Sequence, residues 1–293
     1  MRRIFIILSF LPVLLVSACK HNLMRKDDPF RNENLVAWCI VPFDAQNRTP
    51  EERAAMLRDL GISQLAYDYR DEHLPSFKHE LQVLREGHIR LRAVWLWVDG
   101  ADSSLFNPSN EFIFNTLRDE KVSTELWLSF PESYFDGLDE AGKLAKAEKA
   151  IRAVQSRAAE SGSTVALYNH GGWFGEPENQ IRLIRNIDPE HLRIVYNFHH
   201  GHLQTERFPE LFERMLPYLS AVNINGMKKE GPKIIPVGEG DLEYAMLKKV
   251  YDSGFTGTIG ILGHTEGQDI KPVLEKNMEG LQDLARKIRK SEN

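Results

Sequence analysis

Eight short apolar segments, each running into polar residues and then into a helix-like stretch, constrain this 293-residue chain more than any other feature. They lie near Val36 to Val41, Gln64 to Tyr67, Leu91 to Trp97, Thr124 to Leu128, Thr164 to Tyr168, Leu192 to Tyr196, Ala221 to Ile224 and Thr258 to Ile261. Strands that alternate with helices belong to a parallel sheet with crossover connections, and eight such pairs over roughly 260 residues suffice to close a barrel. The first helix carries start chemistry in Thr49-Pro50-Glu51-Glu52 and a stop at Gly61. Further helices are expected near Ser76 to Glu86, Glu111 to Asp119, Leu138 to Ser161, Glu178 to Asn186, Phe208 to Leu219, Leu242 to Ser253 and Ile270 to Lys290. The fourth strand is the least distinct, since its alternation also suits a sheet edge. The fold class is α/β, a single (β/α)8 barrel without a second domain or internal repeat.

Polar residues concentrate where these strands end. Leu192-Arg193-Ile194-Val195 runs into Tyr196-Asn197-Phe198-His199-His200-Gly201-His202, and Val165-Ala166-Leu167-Tyr168 runs into Asn169-His170-Gly171-Gly172. Ala221-Val222-Asn223-Ile224 leads to Asn225-Gly226, and Thr258-Ile259-Gly260-Ile261 leads to Gly263-His264. In a parallel barrel these ends converge on one face, where sites are built.

The first residues belong to a different argument. Arg2 and Arg3 precede an apolar run from Ile4 to Val16 that ends at Val16-Ser17-Ala18-Cys19, a pattern that resembles a bacterial lipoprotein signal. It implies cleavage after residue 18, lipidation of Cys19 and a polar tether over residues 19–34 that leads to the barrel at 35–293. An ordinary signal peptide or a short membrane anchor is the alternative. Lys20 after the cysteine resembles the sorting pattern of outer-membrane lipoproteins, so the expected location is the cell envelope, facing the periplasm. Removing two arginines and no acid changes the net charge from −5 to −7, which gives no reason to expect a nucleic-acid partner. The only other cysteine, Cys39, is expected as a buried strand residue.

Several of these stretches resemble the xylose isomerase-like TIM barrels, the sugar phosphate isomerase/epimerase superfamily. The resemblance rests on the element order, on Asn169-His170-Gly171-Gly172, on Asn197-x-x-His200 where the family commonly has Asp-x-x-His, and on Gly238-Glu239-Gly240-Asp241. Within that superfamily, Trp38-Cys39-Ile40-Val41-Pro42-Phe43-Asp44 and Tyr67-Asp68-Tyr69-Arg70-Asp71-Glu72-His73 resemble a secreted lipoprotein branch. Metal-dependent members place glutamate, aspartate, histidine and glutamate at the ends of strands five to eight; here Tyr168 or Asn169, Asn197, Asn223 and His264 stand there. Three anionic ligands have become neutral, and a hard cation draws much of its affinity from carboxylate charge. No cofactor is therefore called for. A divalent metal such as zinc would have to draw on imidazoles, with His202 and His264 as candidates beside His170 and His200, although neighbouring His199 and His200 would point to opposite sides of an extended segment.

The resemblance implies a carbohydrate substrate and proton transfer beside a sugar carbonyl, in an isomerase, epimerase, or keto-sugar lyase or hydratase. That chemistry needs a base and hydrogen-bond donors for the developing enolate. His200 and Glu239 are the candidates for base and acid, with His170 polarising the carbonyl. Asn169, Asn197, Asn223 and Asn225 are candidate hydroxyl ligands. Asp68, Arg70 and His73 are equally suited to substrate binding and to an internal salt-bridge set, while Trp97 and Trp173 offer faces for a sugar ring. The rival class is a non-catalytic sugar-binding lipoprotein; a two-carboxylate hydrolase is weaker for want of a partner to Glu239. His79, His88, His191 and the Lys228-Lys229-Glu230 run are expected at the surface.

Overall fold

The structure is a computed structural model and describes residues 28–100 and 105–291. The lipoprotein signal, Cys19 and His21 lie outside the described residues. Eight parallel strands, β1 (Leu35–Trp38), β2 (Gln64–Tyr67), β3 (Arg90–Trp97), β4 (Glu125–Ser129), β5 (Thr164–Tyr168), β6 (Arg193–Asn197), β7 (Leu219–Ile224) and β8 (Thr258–Leu262), close in sequence order. β8 pairs back onto β1 through Leu35↔Ile259 to Trp38↔Leu262. β4 is bonded on both sides, to β3 and β5, so its alternation reflects a strand with one face in the barrel lumen.

The helices α1 (Pro50–Asp59), α2 (Leu74–Glu86), α3 (Pro108–Asp119), α4 (Glu140–Ala159), α5 (Gly172–Gly175), α6 (Pro177–Ile187), α7 (Phe208–Met215), α8 (Glu243–Asp252) and α9 (Ile270–Lys290) surround the sheet. α1 starts as its sequence dictates: Thr49 accepts from the Glu52 amide, Glu52 reaches back to the Thr49 amide, and Pro50 opens the first turn. Among the described residues no helix is long and apolar enough to cross a membrane.

Two differences from the sequence reading have clear causes. β1 stops at Trp38 because Cys39 adopts φ 55°, a left-handed conformation that turns the chain toward the lumen mouth instead of extending the strand to Val41. The segment from Asp28 to Asn34, expected as tether, is docked on the barrel. Asp28 is 1% exposed and pairs with Arg289 of α9 at 2.5 Å, and buried Phe30 stacks on Tyr251. A buried carboxylate with a cationic partner and a fully covered aromatic ring define part of a folded body.

Alternation along each strand sorts the residues into two cores. One face packs against the helices; the other fills the lumen with Val36, Trp38, Ala66, Ala93, Trp127, Ala166, Tyr168, Val195, Ala221 and Leu262. Three large rings meet there, Trp38 on Trp127 at 4.9 Å, Trp127 on Tyr168 at 6.1 Å and Trp38 on Tyr168 at 5.8 Å. They fit because β2, β3, β5 and β7 contribute alanines and β8 contributes Gly260, where an added Cβ would stand 2.0 Å from Asn223 Oδ1. The expected effect of Gly260→Ala is therefore overpacking, with stability lower by about 1–3 kcal/mol. A urea melt should show an earlier midpoint at unchanged slope.

A candidate active site at the carboxyl-end mouth of the barrel

The lumen-facing positions continue past the strand ends and there become polar. Asp68 lies two residues beyond Ala66, His170 two beyond Tyr168 and His264 two beyond Leu262, so the alternation that fills the lumen also aims these groups at its mouth. After β6 the chain turns, and both His199 and His200 face the same space, their rings 4.4 Å apart. The expectation that they diverge fails because residues 198–201 form a turn and not a strand extension. Gly201 makes that turn possible, since a Cβ there would meet Tyr196 Oη at 2.1 Å. Gly171, at φ 100° and close against Glu132, similarly lets the chain leave β5 just after His170.

These side chains enclose one chamber of about 120 Å³, lined by Trp38, Cys39, Phe43, Asp68, Arg70, Trp95, Tyr168, His170, His199, His200 and His264. His200 is the centre of the imidazole group, 4.5 Å from His170 and 4.4 Å from His199 by ring centroids, while His264 stacks on Phe43 at 3.9 Å. Tyr168 and Trp38, the upper rings of the lumen stack, form the floor.

Asn169 and Asn197 have structural work in place of open hydroxyl binding. Asn169 bridges β5 to the end of β6, accepting from the Asn197 amide at 2.7 Å and donating to the Asn197 carbonyl at 3.1 Å. Asn197 in turn donates to Tyr168 Oη at 2.6 Å and accepts from the His199 amide at 3.0 Å, which fixes both the floor and the imidazole turn. Asn223 is fully buried beneath the chamber, and Asn225 donates to the carbonyls of Lys233 and Gly226.

Other sequence candidates lie away from the chamber. Glu239 lines a separate cavity of about 440 Å³ together with Asn225, is half exposed, and pairs with Lys276 at 2.5 Å; the structure does not bring it to His200. Trp173 packs on Phe135 and donates to Glu140 at the start of α4. His73 accepts from the Arg70 amide at 2.9 Å and so caps the short turn before α2. His202 donates to the Lys228 carbonyl at 2.8 Å. Trp97 stands beside the chamber, edge-on to His170 at 5.0 Å. Trp38, Cys39 and Phe43 are chamber residues to which the sequence pattern gave no site role; Trp38 closes β1 on the lumen face, and the alternation of that strand could have marked it.

Burial sets the protonation states. It drives His200 down to about 2 and His199 to about 4, with the neighbouring imidazoles adding repulsion for any charge, and it also lowers His170 and His264. Asp68 moves the other way, up to about 6, because burial outweighs the Val41 amide and the Arg70 guanidinium that favour its anion. Burial and then Asp68 hold the Cys39 thiol protonated, and burial does the same for the Tyr168 phenol. The chamber thus holds neutral imidazoles, one carboxyl poised near pH 6 and one guanidinium.

Such a donor set does not suit a hard divalent ion: Tyr168, Asn197 and Asn223 are neutral, and both ends of the Asn197 amide are committed. Among the described residues no three His, Cys, Asp or Glu side chains converge as ligands for one ion.

The shifts have opposite consequences for stability. A histidine kept neutral in the fold loses stability as pH falls below its unfolded value near 6.5, since only the unfolded chain then takes the proton. Asp68 is protonated more readily in the fold, so its contribution is full below about pH 4 and declines as pH rises through about 6. Acidification from pH 7 to 5 should lower the denaturation midpoint, because four histidines outweigh one carboxyl. Asp68→Asn should steepen that fall, as it removes the chamber carboxyl that opposes it.

The family model of the xylose isomerase-like TIM barrel matches residues 120–289. No curated protein sequence gives a significant match. Among solved structures, the apo 3-keto-D-glucoside 4-epimerase of E. coli is 13% identical at a TM-score of 0.64, over 86% of this chain and 99% of that one. A D-psicose 3-epimerase from Clostridium cellulolyticum H10, solved with D-tagatose, is 14% identical at 0.59, over 87% of this chain and 99% of that one. An IolI protein with a bound zinc atom is 10% identical at 0.66, over 87% and 99%. At these identities the likeness is one of fold, which agrees with the closed barrel described above. With more than half its length matched by the family model and its strands closed in the family's order, the chain belongs to the xylose isomerase-like TIM barrels.

Proposed function

We propose that the protein acts on a carbohydrate by proton transfer next to a carbonyl, as an isomerase or epimerase or as a keto-sugar lyase or hydratase. The observation that carries this reading is the composition of the mouth chamber: a buried carboxyl poised near pH 6 lines the same pocket as four uncharged imidazoles. Abstraction of a proton beside a carbonyl needs a base of intermediate strength, and Asp68 has it, whereas an imidazole held near 2 is a weak base. His200 and His170 instead suit the electrophile's part, since a neutral imidazole donates a hydrogen bond to the carbonyl oxygen and stabilises the enolate in a dry site. Arg70 adds positive charge at the rim. The printed activities of the solved relatives, epimerases of a keto-glucoside and of a ketose, favour the same class of substrate. A rival without catalysis, a sugar-binding protein, draws support from the neutral residues that stand where a metal-dependent barrel needs carboxylates.

The signal-like start and Cys19 support a location in the cell envelope, on a lipid anchor. Cys19→Ser should then move the full-length protein from the membrane fraction to the soluble fraction; retention of both lipid label and membrane association would refute the anchor.

The chemistry is tested by incubating the soluble domain with keto-sugars and keto-glycosides in D₂O and following them by proton NMR. Deuterium should enter beside the carbonyl, with a rate that rises through about pH 6 as Asp68 ionises. Asp68→Asn and His200→Ala should each slow exchange by about 10²–10⁴-fold, the range for loss of a general acid or base, with small change in affinity. Ligand resonances that broaden without exchange or product would replace the enzyme by the binding protein.

A further inference from the structure

The chamber is too small to be the whole site. Its volume of about 120 Å³ falls well below the roughly 300 Å³ at which ligand pockets usually begin. It adjoins a groove of about 700 Å³ beside β3, and Arg70 and Trp95 line both. Trp95 is fixed by a bond from its Nε1 to Ser129 Oγ at 3.0 Å, and Trp97 lies 5.4 Å from it and 5.0 Å from His170, so the two indoles pass from the groove into the chamber. Both are half-buried and present aromatic surface to the groove.

Three carboxylates line the same groove against one cation, Arg70, so its charge is net acidic. Asp71, Glu72 and Asp99 line the groove, and two of them are held in place: Asp71 accepts from Ser109 Oγ at 2.8 Å and Asp99 accepts from Asn107 Nδ2 at 3.3 Å, which ties them to the start of α3. Carboxylates accept hydroxyl hydrogens well and repel anions. An indole wall beside carboxylate acceptors is the arrangement that a neutral pyranose requires, with its apolar face on the ring and its hydroxyls on the acids. It disfavours a phosphate or a uronate.

We propose that the ligand is a neutral glycoside of at least two rings, with the reacting keto-sugar in the histidine chamber and the second sugar in the groove against Trp97. This assignment rests on the reading of the chamber as the place of enolate chemistry, but it makes a separate claim about what lies beyond it. Trp97 is then a specificity residue, and its loss is felt by long substrates more than by short ones.

The test compares a methyl keto-glucoside with the corresponding keto-disaccharide, measuring affinity by calorimetry and deuterium exchange by NMR on the soluble domain. The disaccharide should bind about tenfold tighter or better, as a stacked ring worth roughly 1.4 kcal/mol implies. Trp97→Ala should abolish most of that preference, and Trp97→Phe, which keeps an aromatic face, should retain it. Equal affinities for the two probes, or a Trp97→Ala loss that is the same for both, would overturn the second subsite. Exchange at equal efficiency on both probes would leave the chemistry standing and remove the subsite. A disaccharide preference that depends on Trp97, with no exchange on either probe, would keep the subsite and remove the chemistry.

Discussion

Three aromatic rings packed inside the barrel set the geometry of everything above them. Trp38, Trp127 and Tyr168 fill the lumen only because the neighbouring strands give up side-chain volume at Ala66, Ala93, Ala166, Ala221 and Gly260. Interiors are close-packed, so this exchange of large for small residues fixes how high the floor stands. Two of the three rings are the floor of the chamber, and what remains above them is a space of about 120 Å³. A shallower plug would leave more room for a ligand and for water; on the proposed reading, this one admits a reacting group and leaves the rest of the ligand to the groove.

The chemistry of the chamber follows from the same closeness. Imidazoles that come within 4.5 Å of each other in a desolvated space cannot all be charged, so burial and mutual repulsion act together to keep them neutral. The carboxyl of Asp68 meets the same desolvation with the opposite sign and rises into the range where it can both take and return a proton at neutral pH. Asn169 and Asn197 are knitted to each other and to Tyr168, so the ends of β5 and β6 gain a rigid hydrogen-bonded collar.

Much of this was legible from residue order. The eight strands, the gathering of polar groups at the lumen mouth, and His170, His200 and His264 as residues that converge there all follow from apolar runs and what succeeds them. What escaped was set by contacts between distant segments. Glu239 sits in a Gly-Glu-Gly-Asp turn, but the turn's own path carries it to Lys276 of α9. The role of Asn197 depends on where the Tyr168 hydroxyl points, and the docking of Asp28 depends on Arg289, 261 residues away. The shared orientation of His199 and His200 turned on one backbone turn that alternation cannot foresee. Asp68 was named in the sequence, but its raised affinity for a proton comes from burial, which only the folded barrel supplies.

The most direct test of the central claim is the ¹⁵N imidazole NMR spectrum of the soluble domain, recorded while a keto-glycoside is added at pH 7. Ligand bound in the chamber should shift the resonances of His170, His199, His200 and His264 and leave those of His73 and His202 where they were. Shifts confined to His73 or His202, or saturable binding that leaves all four chamber imidazoles unmoved, would contradict the account.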